Sequence, residues 1–72
     1  MYAKTCLVEQ ACAAFGACAS PIGPNCWKVG SGIVEYDPTR AYRRWESERA
    51  DDEGNTVIRQ YDHAYEAVRS VA

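Results

Sequence analysis

The stretch TVIRQYDHAYEAVRSVA, residues 56–72, carries the strongest periodic pattern in the chain. Its apolar residues recur every three or four positions, which places them on one side of a helix. Asn55 and Thr56 are suitable N-caps. The pattern predicts a helix reaching nearly to Ala72, with this apolar face: Val57, Ile58, Tyr61, Ala64, Tyr65, Val68, Val71 and Ala72. A strand over Thr56–Tyr61 followed by a short helix is the alternative.

A second helix is predicted to begin at Asp37-Pro38. Asp is a good N-cap, and Pro at the first helical position loses no hydrogen bond that it would have made. Ala41, Tyr42 and Trp45 then recur at helical spacing. This helix should run to about Asp52 and end at Gly54. The short connection to the last helix predicts that the two are antiparallel neighbours.

Towards the N-terminus, a helix is predicted from about Thr5 to Ala19, with one apolar stripe formed by Leu7, Ala11, Ala14, Phe15 and Cys18. The prolines and glycine of Ser20–Asn25 predict a loop. From Cys26 to Tyr36 the pattern is extended, and Gly30-Ser31-Gly32 lies between β-forming residues. These glycines lack the lysine and following helix of a phosphate-binding loop, so they indicate a hairpin turn.

The expected fold is thus mainly α (α+β): an N-terminal helix, a small β-hairpin and two antiparallel C-terminal helices in one domain, residues 1–72. An α-β-β-β-α arrangement with an antiparallel sheet is the alternative. A lone hairpin is marginal in water, so Trp27, Val29, Ile33 or Tyr36 must pack on the helices.

The net charge of −2 excludes a generally basic nucleic-acid binder, although a local basic patch stays open. No apolar run approaches the roughly 18 residues that a membrane span needs. Glu9 and Gln10 interrupt the only stretch resembling a signal-peptide core, so a cytoplasmic protein is expected.

The four cysteines are expected to be free thiols. Cys6, Cys12 and Cys18 lie six residues apart on one predicted helix, where a separation of about 9 Å is too long for a disulfide. Cys26 could bridge one of them at most. No closely spaced pair of the kind that typifies zinc sites is present.

No residue pattern indicates catalysis or a cofactor. His63 is the only histidine. Asp62 and Glu66 are nearby in sequence, but His63 falls on the polar side of the last predicted helix among solvated charges, which favours a surface residue over a general base. The run Asp51-Asp52-Glu53 lacks the staggered oxygen ligands that a divalent cation needs. We therefore expect a protein that is not an enzyme and that binds no metal or cofactor.

The charge order on the second predicted helix is the most informative feature. Arg40, Arg43 and Arg44 lie in its first turns and Asp51, Asp52 and Glu53 at its end, which opposes the helix dipole at both ends. Pairs such as Arg44–Glu48 would offset part of the cost. A salt-laced surface helix is one interpretation. A partner-binding site is the other, and it comprises Arg40, Arg43, Arg44, Glu48, Asp51, Asp52 and Glu53.

Two functions follow from that site. A protein-binding module would use the charges together with the five tyrosines and two tryptophans of the chain, which interfaces favour as anchors. A small nucleic-acid binder would place the arginine cluster on phosphates, and its affinity would fall steeply with salt. The acidic net charge favours the protein-binding module.

With its opposed clusters, Arg40-Ala41-Tyr42-Arg43-Arg44 and Asp51-Asp52-Glu53, this short chain resembles, as a class, the small phage-encoded inhibitors of host defence of the anti-CRISPR type. The resemblance covers the general character of the chain and rests on no shared motif. It implies an inhibitor that binds a host nucleoprotein complex and blocks DNA access or nuclease recruitment. The acids would then stand where DNA phosphates otherwise lie.

Overall fold

The structure, a computed structural model, describes residues 3–72 as a five-stranded sheet with one helix before it and one after it. The elements are α1 (Ala3–Ala14), β1 (Ala19–Gly23), β2 (Cys26–Val29), β3 (Gly32–Tyr36), β4 (Trp45–Ala50), β5 (Thr56–Tyr61) and α2 (Ala64–Val71). Each strand pairs antiparallel with the next along the chain, in the order β1-β2-β3-β4-β5. The expectation of a mainly α fold is therefore wrong. The α-β-β-β-α alternative has the antiparallel sheet but two strands too few.

The helix predicted from Asp37 to Asp52 does not form. Residues 37–44 are a loop, and the strand β4 follows. Burial alternates along β4, because Trp45 and Ser47 are buried while Glu46 and Glu48 are half-buried. This two-residue period is the signature of a strand. It begins only at Trp45, so the helical spacing of Ala41, Tyr42 and Trp45 was misleading.

The long helix predicted for residues 56–72 is wrong over its first half. Thr56–Tyr61 is the strand β5, and a bend at Asp62 and His63 leads into the shorter helix α2. This is the alternative stated for that segment. Thr56, Val57 and Ile58 are β-branched and lie opposite Ala50, Arg49 and Glu48 of β4. Pairing with β4 provides hydrogen-bond partners for the backbone of Thr56–Tyr61, so this segment forms a strand instead of a helix.

The first helix ends earlier than predicted, at Ala14 rather than Ala19. Gly16 follows with a φ of +67°, a conformation that suits glycine and ends helices. The buried side is also rotated, since Val8, Ala11 and Cys12 are buried while Leu7 is 47% exposed. Within the predicted loop Ser20–Asn25 lies most of β1, whose register with β2 shifts between Pro21 and Gly23.

The core lies between the two helices and one face of the sheet. Trp27 and Val29 of β2, Val34 of β3 and Trp45 of β4 are buried, as are the α2 residues Ala64, Ala67, Val68 and Val71. The Trp27 and Trp45 rings are 5.9 Å apart, and the Tyr36 ring is 5.0 Å from that of Trp45. Trp27 and Val29 thus pack on the helices as expected, whereas Ile33 points to the opposite side. We call the helix-packed side the covered face and the other the open face.

The hairpin of β2 and β3 is confirmed, with Gly30-Ser31 as a two-residue turn. Gly30 has a φ of +53°, which hairpin turns of this length require at their first position. The turn is tied to the end of α2, because the Ser31 backbone N–H donates to the Val71 carbonyl oxygen at 3.1 Å. The glycine-rich segment is thus a structural junction.

The four cysteines are free thiols in the structure. Cys12 is buried against the covered face, and Cys26 lies on the open face because its neighbour Trp27 points inward. The sheet separates the two. Among residues 3–72, no helix is both long enough and apolar enough to span a bilayer.

Candidate partner-binding site

The seven residues predicted to bind a partner do not share a helix. Arg40, Arg43 and Arg44 lie in the loop between β3 and β4, Glu48 lies in the middle of β4, and Asp51-Asp52-Glu53 forms the turn between β4 and β5. β4 therefore separates the arginines from the acidic turn by six residues, or about 20 Å. The reversed helix dipole no longer applies, but the separation of the charge clusters persists.

Arg40 organises its own loop. Its Nη1 atom lies 3.1 Å from Glu46 Oε1 and 3.5 Å from Asp37 Oδ2, and its Nε donates to the Arg43 carbonyl oxygen at 3.0 Å. Within residues 3–72, its buried Nη2 atom has no hydrogen-bond partner. The Arg44 Nε in turn donates to the Arg40 carbonyl oxygen. These bonds hold Arg40 within its own loop, and its contact with a partner stays a prediction.

Asp37 begins the loop instead of capping a helix. Its Oδ1 atom accepts hydrogen bonds from the Thr39 backbone N–H at 2.9 Å and from the Thr39 hydroxyl at 2.6 Å. In this turn the Asp37 carboxylate accepts the same kind of backbone hydrogen bond that it would accept as a helix N-cap. The bonds from Thr39, and then the charge of Arg40, hold the pKa of Asp37 below its usual value.

Arg43 and Arg44 stay exposed at the tip of the loop. Arg43 has a φ of +52°, and its backbone N–H donates to Asp62 Oδ1 at 3.1 Å. Tyr42 beside them is 72% exposed. The loop tip thus combines two cations and an aromatic ring, next to a cleft of about 390 Å³. These two arginines are more exposed than Arg40, which is half-buried.

The acidic turn is also partly structural. Asp51 Oδ1 accepts hydrogen bonds from the backbone N–H groups of Glu53 at 2.9 Å and Asn55 at 2.8 Å. Gly54 completes the turn with a φ of +85°. Asp52 and Glu53 are exposed. The turn therefore presents two free carboxylates, while Asp51 is used to shape it.

Sequence reasoning named Glu48 but missed the cluster of three acids to which it belongs, on the open face. Glu35 of β3 is directly opposite Glu46 of β4, and Glu48 follows Glu46 on the same side of that strand. Such like-charged neighbours are destabilising. Arg40 compensates Glu46 through its ion pair, but among residues 3–72 no cation lies within 4.0 Å of Glu35 or Glu48. We call Glu35, Glu46 and Glu48 the acidic patch.

A cleft of about 430 Å³ adjoins the acidic patch. It is lined by the β1–β2 turn, the open face and the start of the 37–44 loop, and Cys26 is among its residues. Burial is the largest cause that raises the pKa of the Cys26 thiol, followed by the charges of Glu35 and Glu48. A raised pKa keeps the thiol protonated, which is unfavourable for a nucleophile.

Neither a metal site nor a histidine-centred site is evident in the part of the chain that the structure describes. Residues 3–72 contain no group of three or more His, Cys, Asp or Glu side chains arranged to hold a metal ion. His63 is exposed at the N-cap position of α2, and its side chain makes no capping hydrogen bond.

No protein-family model matches the chain, and comparisons with curated proteins and with solved structures give no match either. Function therefore has to be inferred from the geometry and the charge of the surface.

Proposed function

We propose that the protein is a non-enzymatic binding module that docks its acidic patch on a basic surface of a protein or nucleoprotein partner. The observation that carries the proposal is the position of Glu35, Glu46 and Glu48 on the face of the sheet opposite to α1 and α2. The exposed Asp52 and Glu53 continue this negative surface beyond the end of β4.

The arrangement is costly for the protein alone. Three carboxylates stand on neighbouring positions of two paired strands, although polar uncharged residues would fit there without repulsion. Local rules of this kind are most often broken where a functional site requires it. A basic partner would remove the repulsion, because its cations would pair with the carboxylates on docking.

The partner we infer is one whose basic surface otherwise holds nucleic acid. A row of carboxylates on a rigid sheet would compete with phosphates for the same arginines and lysines. The proposal thus includes a phage-encoded inhibitor of a host nucleoprotein defence complex, of the anti-CRISPR type, acting in the host cytoplasm. Blocked DNA access would be the result.

Direct binding of nucleic acid through the arginine cluster is less well supported. Arg40 is engaged by Asp37 and Glu46, which leaves only Arg43 and Arg44 for phosphates. Asp62 also lies beside them, bonded to the Arg43 backbone. Two exposed cations next to carboxylates provide little of the electrostatic attraction that such binding needs.

The test compares capture from a bacterial lysate by immobilised wild-type protein and by two variants with the same charge change. Glu35→Gln/Glu48→Gln removes two acids of the patch and spares Glu46, so that Arg40 keeps its partner. Glu9→Gln/Glu66→Gln removes two acids elsewhere, on α1 and α2. Mass spectrometry of the captured proteins, before and after addition of a duplex DNA oligonucleotide, is the readout.

We expect a basic protein that the wild type and Glu9→Gln/Glu66→Gln capture, that Glu35→Gln/Glu48→Gln loses, and that duplex DNA displaces. Equal capture by the two double variants would contradict the acidic patch as the site. Gel-shift binding of the free protein to duplex DNA, lost in Arg43→Gln/Arg44→Gln, would instead favour the nucleic-acid binder.

A further inference from the structure

The two edge strands of the sheet differ in how they are protected. Pro21 lies within β1, and the register of β1 with β2 is broken between Pro21 and Gly23. Proline and irregular pairing are common devices that keep an edge from pairing with another strand. β5 has neither device, since its six residues Thr56–Tyr61 contain no proline and pair with β4 in unbroken register.

Among residues 3–72, no strand pairs with the outer edge of β5, which leaves backbone hydrogen-bonding groups open there. The Asp51 N–H donates to the Asn55 carbonyl oxygen, which makes these two residues a hydrogen-bonded pair. Hydrogen-bonded and non-hydrogen-bonded pairs alternate along an antiparallel ladder. The groups that point away from β4 are therefore those of Thr56, Ile58 and Gln60. The Ile58 side chain, 54% exposed, marks the centre of this edge.

A basic groove runs beside the same edge on the covered face. It has a volume of about 260 Å³ and is lined by Ser47, Arg49, Val57, Arg59, Tyr61 and Ser70. Arg49 and Arg59 are exposed, and no carboxylate oxygen of residues 3–72 lies within 4.0 Å of either guanidinium. Arg59 is opposite Ser47, and Arg49 is opposite Val57, so the two arginines are diagonal neighbours on adjacent strands. Guanidinium groups in this position suit carboxylates held at similar spacing.

We propose that the β5 edge is a second binding site, which accepts an extended acidic peptide segment as a sixth strand. The backbone of the peptide would pair with Thr56, Ile58 and Gln60, and every other side chain of the peptide would point towards the groove. Carboxylates at those positions would reach Arg59 and Arg49. Apolar residues between them would contact Ile58 on the open face.

Charge complementarity favours an acidic peptide over a second copy of this chain. An antiparallel pair of β5 strands centred on Ile58 would place Arg59 of each copy on the same side of the joined sheet, as diagonal neighbours. Neither copy would bring a carboxylate of its β5 strand, whose sequence is TVIRQY. Like charges in this position oppose pairing. This site is separate from the acidic patch, and a test of one does not depend on the other.

The probe is a fluorescent eight-residue peptide in which Glu and Val alternate, and its matched control carries Lys in place of Glu. Binding to the wild type is measured by fluorescence anisotropy. Ile58→Pro removes an outward N–H, which leaves the bonds between β4 and β5 intact. Arg49→Gln/Arg59→Gln removes the cations while the edge stays open. Lys28→Gln on β2, three strands away, removes a cation outside the groove and is the control variant.

We expect the Glu peptide to bind and the Lys peptide not to bind. Each lost charge-assisted hydrogen bond should weaken the Glu peptide about tenfold or more in Arg49→Gln/Arg59→Gln. Ile58→Pro should abolish binding, and Lys28→Gln should leave it unchanged. Equal binding of both peptides, no loss in the arginine variant, or a wild-type dimer that Ile58→Pro converts to monomer in sedimentation would each overturn the proposal.

Discussion

On its covered face the sheet presents Trp27, Val29 and Val34, whereas alternate residues of the same strands, such as Lys28 and Glu35, lie on the open face. The covered side chains are buried and pack against both helices. The open side carries charge that opposes its own stability. The difference teaches that alternate positions of these strands have different roles: one set packs the core, and the other is left accessible to solvent.

Trp27→Ala should have the largest effect, because it removes a buried ring that packs against Trp45. The expected loss is about 3–5 kcal/mol in the free energy of unfolding. A core of this size supplies about 3–5 kcal/mol in all, so most molecules should be unfolded. Ile33→Ala on the open face is the matched control and should cost much less, since Ile33 is only half-buried. Circular dichroism melts of both variants measure the two losses of stability. Similar losses would refute the different roles of the covered and open faces.

Gly32→Ala tests how closely α2 lies on the covered face. A methyl group at Gly32 would overlap the Glu48 carbonyl oxygen and lie 2.7 Å from Val71 Cγ1. We expect a loss of about 1–3 kcal/mol, because the backbone or the helix has to shift. Gly23→Ala is the control, since its methyl group would meet Cys26 Cβ at an ordinary 3.5 Å. Urea unfolding curves measure both, and an unchanged midpoint for Gly32→Ala would contradict the close approach.

His63→Ser should stabilise α2, the helix that packs on the covered face. His63 occupies the N-cap without a side-chain hydrogen bond, and Glu66 lies at the third helical position. Serine at the N-cap would complete a capping box with that glutamate. The expected gain is about 0.5–1 kcal/mol, seen as a higher melting temperature. His63→Ala cannot cap and should show no gain; an equal rise in both variants would exclude capping as the cause.

Glu35→Gln should have the smallest effect, a gain of about 0.2–1 kcal/mol, because it relieves the repulsion across β3 and β4. The gain should shrink in 1 M salt, where exposed charges are screened beyond about 3 Å. Glu9→Gln, on α1, is the comparison and should change stability little. Urea unfolding at low and high salt is the measurement. A destabilised Glu35→Gln would mean that the acidic patch contributes to the fold.

Local signals in the sequence were sufficient to predict those parts of the fold that form between neighbouring residues. The hairpin of Cys26–Tyr36 follows from two β-forming segments around a glycine-rich turn, and it is present as expected. Asp37-Pro38 shows that a local signal can also be ambiguous. The Asp37 carboxylate accepts a hydrogen bond from the Thr39 backbone N–H, and this bond is compatible with a turn as well as with the start of a helix. Only the pairing of β4 with β3 and β5 decides between a turn and a helix after Asp37, and the sequence of residues 37–52 alone does not show that pairing.

The candidate site was predictable only in part for the same reason. Glu48 was named, and it lies on the open face. Glu35 and Glu46 were missed, although the alternation of Trp45-Glu46-Ser47-Glu48 would have placed both acids of β4 on one side of a strand. Arg40 looked free because nothing in the sequence shows that a strand returns Glu46 to within 3.1 Å of it.

The nearest-neighbour order of the strands has a consequence for how the chain folds. Each hairpin closes a loop of two to eight residues, at small entropic cost, so the sheet can grow by successive local steps. Phe15 and Tyr65, by contrast, bring their rings to 5.0 Å across fifty positions of the chain, where α1 meets α2. The bond between Ser31 and Val71 already joins positions 40 apart, and docking α1 on α2 spans a still longer stretch of the chain. We expect that docking to come last, with the apolar side of α2 that meets α1 exposed to solvent until it does.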